Sequence, residues 1–229
     1  MDIGAQRIFA WGALVSLLMA IFGLYMAGFL PPPSPAESAE QIATLYRANS
    51  DSICIGAILF LLSTAPFLLF IGVLSVQIRR IEGDRRTFTY VQLVSGTASM
   101  VPIILAPLAW SVAAFRPEQS AESIRSFNDL GFITMVMATP MVAVEILAVG
   151  LAILSDKRAR PVFPRWFAYW SFLCAIALLG GLLCVRSRTG PLAWNGMIAG
   201  WLPSVLFLFW TILMTVMLLK AIKQQEAEG

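Results

Sequence analysis

The sequence predicts an all-α membrane protein, a bundle of six transmembrane helices with short loops and a short outer surface helix after the first span. Three observations predict it. Hydrophobic residues make up 59% of the 229 positions and charged residues only 13%, where soluble domains carry about 25% charge. Mean hydropathy is +0.79. Six apolar runs are each long enough to cross roughly 30 Å of hydrocarbon, and the stretches between them are too short to fold alone. Residues 1–229 therefore read as a single integral membrane domain.

The first span covers 8–30. It is longer than the apolar core of a signal peptide and no A-x-A site follows, so it reads as a retained helix. Gly12, Ser16, Ala20, Gly23 and Ala27 form a stripe of small residues that lets a second helix approach closely. The run Pro31-Pro32-Pro33-Ser34-Pro35 ends the helix. Ser34 and Glu37 have capping-box spacing, which predicts a short surface helix from Pro35 to Arg47. Span two covers 53–78, with Pro66 as a kink.

Span three covers 88–114 and contains Pro102 and Pro107, whose missing N–H groups free carbonyls that need other partners. The next loop repeats part of the first: Pro-x-x-Ser-Ala-Glu-x-Ile occurs at Pro35–Ile42 and at Pro117–Ile124. Each copy precedes a span with an internal proline, Pro66 or Pro140. Duplication of a two-helix unit and chance similarity of two surface helices both account for it. Span four covers 130–154 and span five 166–185. Span six covers 197–219, with Pro203 inside, and a short charged tail follows.

Lys and Arg number 11 on the side of the termini and 5 on the other side, which predicts both termini in the cytoplasm. Trp11, Trp110, Trp166, Trp170 and Trp194 fall near the predicted boundaries, where interfacial anchors belong.

Glu145 is the one acidic residue inside a predicted span. It stands about ten residues, or roughly 15 Å, before the end of span four, near the bilayer midplane. A charge facing lipid there costs several kcal/mol, so Glu145 is expected to face the bundle or a wet cavity. The small face Thr134, Ala138, Met141, Glu145, Ala148 and Ala152 supports this. Counting depth from the boundaries places Ser16, Thr97, Cys174 and Thr211 at the same level, as a thin polar layer. Two readings follow: a satisfied polar bond between helices, or a proton or cation site on a permeation route.

The arginines Arg79, Arg80, Arg85, Arg86, Arg158, Arg160 and Arg165 act as topology signals and are candidates for contact with anionic lipid headgroups. Their confinement to short loops argues against nucleic acid as a partner. Gly196-x-x-x-Gly200 is a helix-packing motif that serves within the bundle or between subunits.

The chain has no histidine, which excludes histidine-held haem or zinc and imidazole-based catalytic triads. Lys157, Lys220 and Lys223 all lie at segment ends, so no lysine is placed for a Schiff base deep in the bundle. Cys54, Cys174 and Cys184 show no C-x-x-C spacing. There is no P-loop, G-x-G-x-x-G or G-x-S-x-G signature. The expectation is a protein without cofactor, metal or catalytic chemistry.

Phe163-Pro164-Arg165-Trp166, leading into Tyr169 and Ser171, resembles the start of the fifth helix in a family of uncharacterised bacterial six-helix integral membrane proteins that carries the label of a domain of unknown function. The resemblance implies a bacterial plasma-membrane location and supplies no catalytic or binding residues. The sequence thus points to a protein that moves or senses a small solute or ion, or hosts a lipid. The alternative is a non-catalytic accessory or scaffold subunit, bound to another membrane protein or to itself. A cavity reaching Glu145 distinguishes the first, and an exposed small-residue face the second.

Overall fold

The computed structural model describes residues 2–228. Six helical segments among them are long and apolar enough to cross a membrane: Ile3–Met26, Ala39–Glu82, Thr87–Phe115, Ala121–Ser155, Arg165–Arg186 and Gly190–Glu228. The all-α six-helix architecture is therefore present, but only span three is one uninterrupted α-helix. Span one consists of α1 (Ile3–Ala10) and α2 (Gly12–Met26), and span two of α3 (Ala39–Leu62) and α4 (Thr64–Glu82). Span three is α5 (Thr87–Phe115), and span four is α6 (Ala121–Met137) with α7 (Thr139–Ser155). Span five is α8 (Arg165–Leu178) followed by a 3₁₀ segment, Leu179–Arg186. A π-helical turn, Met197–Trp201, opens span six, and α9 (Leu202–Glu228) completes it.

Proline chemistry explains the breaks in spans two and four. Pro66 and Pro140 sit in the first turns of α4 and α7, where their missing N–H costs nothing. At the first break Ser63 Oγ donates to the Phe60 carbonyl at 2.6 Å and Thr64 Oγ1 to the Leu61 carbonyl at 2.7 Å. Carbonyls freed inside the bilayer thus find partners on their own chain. Pro203 follows the π-helical turn in the same way.

The outer surface helix differs from the expectation. It starts at Ser38, whose side chain caps Gln41 N while Gln41 caps Ser38 N in return. It then runs on into span two through a single non-helical residue, Asn49. Ser34 and Glu37 form only a local turn before it. Span four likewise begins outside its apolar run, at Ala121, with Ser120 as N-cap. Both copies of the repeated motif therefore start a capped helix with a fully buried isoleucine, Ile42 or Ile124. The segments that carry the copies also meet, because Tyr46 donates to Asn128 Oδ1 at 3.2 Å and Arg47, five residues beyond the first copy, donates to the carbonyls of Pro117 and Gln119 in the second. At the other end α9 stays helical to Glu228, where a short tail was expected.

Small residues set the closest approaches. A methyl on Gly23 would meet the Gly56 carbonyl oxygen at 2.7 Å, and one on Gly56 would meet the Gly23 carbonyl at 2.4 Å. Gly12 lies against the backbone of Pro66 in the same manner. Gly12, Gly23 and Ala27 of the stripe read on span one are thus spent inside the bundle, against span two.

The core has two centres. Near the termini, α4, α7, α8 and α9 bury Phe70, Leu74, Val149, Phe167 and Trp210. Near the opposite end, Phe29, Phe60, Trp110, Phe132 and Trp194 form a cluster with centroids 5.0–5.7 Å apart. Trp110 and Trp194 are therefore core residues, which corrects their assignment as interfacial anchors, whereas Trp11 and Trp166 are half exposed. Their ring faces find more apolar contact in the cluster than a membrane boundary offers. Trp194 Nε1 donates to the Pro33 carbonyl at 2.8 Å and ties the loop before span six to the loop after span one.

Candidate functional site

Glu145 is buried in α7 and faces the bundle. Gln92 Nε2 of α5 donates to its Oε1 at 3.0 Å, and Ser75 Oγ of α4 lies 2.5 Å from Gln92 Oε1. Three spans are thereby joined through one amide, the side chain of Gln92. Gly96, one turn beyond Gln92, makes the space: a methyl there would lie 2.5 Å from Glu145 Oε1. The carboxyl thus rests on bare backbone and is closely packed there.

The four expected neighbours are elsewhere. Thr97 is exposed on the outer surface of α5 and donates to the carbonyl of Leu93 in its own helix. Cys174 is buried between spans five and six, with its sulfur 3.9 Å from the Leu206 carbonyl. Thr211 is buried with its hydroxyl unpartnered. Ser16 lines a cavity to which Glu145 does not belong. Counting residues from span ends gives height but not azimuth, and azimuth decided these positions. Met141, placed on the same face as Glu145 and one turn before it in α7, is more than a third exposed. A polar and small stripe on span three, Gln92, Gly96 and Ser99, carried the signal that the depth count passed over.

A different site emerges at the level of the helix breaks. A cavity of about 250 Å³ is lined from all six spans, by residues including Ser16, Thr64, Ile103, Thr139, Leu178 and Pro203. Its walls are almost wholly apolar. A second cavity of about 280 Å³ adjoins it, sharing Leu17, Leu24, Val136 and Phe207. The second cavity lies between spans one and six, and its wall includes Ile21, Trp201 and Val205, each more than a third exposed on the lateral surface. The pair forms an apolar chamber with a side facing where lipid would be.

The basic residues at the termini end divide into two groups. Arg79, Arg85, Arg86, Arg160 and Arg165 are exposed. Arg80 is engaged internally, donating to Gln77 Oε1 at 2.6 Å, the Ala221 carbonyl at 3.1 Å and Glu228 Oε2 at 2.9 Å. Gln77 in turn donates to Gln6 and Gln225, so the first and last helices are tied together there. Arg158 grips Asp156 through Nε and Nη2, both at 3.0 Å, and Val162 N adds a third donor at 2.9 Å. Burial alone would raise the Asp156 pKa, but these donors outweigh it and hold the carboxyl below its ordinary value. Arg80 and Arg158 are therefore structural in this arrangement, and five arginines face outward.

Among the described residues no group of three His, Cys, Asp or Glu side chains is placed to hold a metal ion. Comparison with protein-family models, with curated proteins and with solved structures finds no match to this chain.

Proposed function

We propose that this multi-pass protein resides in a bacterial plasma membrane with both termini in the cytoplasm, and that it binds a lipid or another apolar molecule in the chamber at its centre. The supporting observation is the chamber itself, walled by all six spans and bordered laterally by exposed apolar residues. Small-molecule sites are concave, mostly apolar and often found between the helices of bundles. Binding of this kind serves sensing, sequestration or movement of the ligand, none of which needs covalent chemistry.

The geometry favours this over permeation through Glu145, since that carboxyl is packed on Gly96 and bonded to Gln92. It also favours it over an accessory subunit held by small-residue faces. Gly12, Gly23 and Gly56 meet neighbouring helices of the same chain, and Gly196 and Gly200 pack on the backbone of their own loop. The five exposed arginines remain suited to anionic headgroups at the cytoplasmic surface.

The test is purification from the native membrane followed by mass spectrometry of extracted small molecules. An apolar molecule near one per chain, lost in Ala20→Phe, is the expected result. A stoichiometric protein partner and no small molecule would instead support the subunit reading.

A further inference from the structure

The chamber contains five hydroxyl residues, Ser16, Ser63, Thr64, Thr139 and Ser204. Three of them are satisfied at home. Ser63, Thr64 and Ser204 donate to the carbonyls of Phe60, Leu61 and Gly200, the usual way a hydroxyl is tolerated in a membrane helix. The other two differ. Thr139, 7% exposed, has a buried hydroxyl with no partner. Ser16, 6% exposed, makes no side-chain hydrogen bond. They sit on spans one and four, so the unpaired groups come from different walls of one apolar space.

Local structure explains why each is free. Thr139 is the first residue of α7, beside the break at Ala138, where the regular carbonyl ladder is interrupted. Its methyl and its hydroxyl both lie toward Gly181 of span five, whose missing side chain leaves room beside them. Ser16 belongs to the small stripe of span one, between the close contacts made by Gly12 and Gly23, where span one borders the cavity instead of a neighbouring helix. An unpaired buried hydroxyl is costly in a medium that offers no water. A ligand carrying an oxygen removes that cost, whereas a pure hydrocarbon does not.

Resting on the reading of the chamber as a ligand site, we propose that its ligand is a neutral, largely apolar molecule bearing a hydroxyl or carbonyl oxygen, which Ser16 and Thr139 hydrogen-bond. The two side chains are the specificity elements of the site, and the apolar walls supply most of the affinity. Charged amphiphiles are disfavoured, because no cationic or acidic side chain lines the chamber.

A matched pair of probes, 11-bromo-1-undecanol and 1-bromoundecane, tests this in nanodiscs of uncharged lipid. Bromine quenches tryptophan, and Trp194 and Trp201 line the adjoining cavity. The saturable quenching that the filled variant Ala20→Phe lacks reports occupancy, with Ala20→Leu in reserve if the larger ring prevents folding. At equal mole fraction in the bilayer the alcohol is expected to bind about fivefold more tightly, the effect of one net hydrogen bond. In Ser16→Ala combined with Thr139→Val, the ratio should fall to about one through loss of alcohol binding alone, and Thr139→Ser should restore part of it. Equal binding of both probes to the wild type, or a preference that survives the double substitution, would overturn the assignment while leaving the chamber as a ligand site. Absence of saturable quenching by either probe would overturn both.

Discussion

Glu145 and Gln92 offer a direct measurement of what a buried polar bond contributes here. Both side chains are buried, and their bond length is 3.0 Å. Gln92→Leu removes the donor and strands the carboxyl, while Glu145→Leu strands the amide. Leaving a buried polar group unpaired costs about 1–3 kcal/mol. Replacing both partners by apolar groups is close to neutral, because no stranded group remains. The double variant should therefore be less destabilised than the sum of the singles. Interhelical hydrogen bonds in a bilayer average about 0.6 and reach about 1.7 kcal/mol, since the unfolded chain also finds partners there. The Gly96 seat and the second link to Ser75 place this pair toward the upper part of that range. The assay is reversible unfolding in mixed micelles titrated with SDS and followed by circular dichroism, for wild type, both singles and the double. A coupling of about 1–1.5 kcal/mol is expected. Additive single effects would refute the assignment of Glu145 as an interhelical bond and return it to candidacy for a site on a permeation route.

Two further substitutions probe the two ends of the bundle. Gly131→Ala places a methyl 2.1 Å from Trp110 Nε1, so the indole must move within its aromatic cluster; a loss of about 1–3 kcal/mol is expected, read as a lower melting temperature with altered tryptophan fluorescence. At the termini end, Asp156→Asn weakens a carboxylate held by Arg158 and Val162 and should cost about 1.5–3 kcal/mol at neutral pH. Because the folded pKa of Asp156 is depressed, its contribution is complete above the unfolded value of about 3.9 and fades as pH falls through the lower folded value. The difference between wild type and variant should therefore narrow as pH is lowered below about 4, measured as melting temperature across pH.

Much of the architecture was readable because lipid imposes simple rules. Apolar length marked six spans, and Pro66 and Pro140 lie beside two breaks, since proline is best tolerated in the first turn of a helix. Pro102 and Pro107 gave no such mark, because α5 runs through both. The small stripe on span one was readable as a close-packing face, and Gly12 and Gly23 use it so. Three features resisted. Helix ends were placed where apolar runs ended, but capped polar turns at Ser38 and Ser120 extend spans two and four beyond those runs. The polar layer was placed by height, whereas Thr97 and Gln92, five residues apart on one helix, point in opposite senses, outward and inward. The chamber was invisible for a further reason. It arises because the breaks at Ser63 and Ala138 and the π-helical turn at Met197–Trp201 all border one space, and no segment records the positions of the others.

That space is also the best measure of whether the chamber is occupied. An apolar space of about 250 Å³ that stayed empty would forgo at most roughly 6 kcal/mol of packing at about 24 cal/mol per Å³, an upper bound comparable to the net stability of a whole domain. Filling an empty void with a side chain therefore stabilises, whereas filling an occupied one exchanges one set of contacts for another. Ala20→Phe separates the two cases, because residue 20 lines the chamber from inside α2, clear of that helix's own ends. Protein stripped of lipid and small molecules by detergent exchange should gain stability from this substitution, seen as a higher melting temperature. Protein kept in native-membrane nanodiscs should gain nothing or lose stability, because the ring displaces the resident molecule and its contacts with Ser16 and Thr139. An equal gain in both preparations would mean that the chamber is empty in the membrane, and the ligand-binding reading would fail with it.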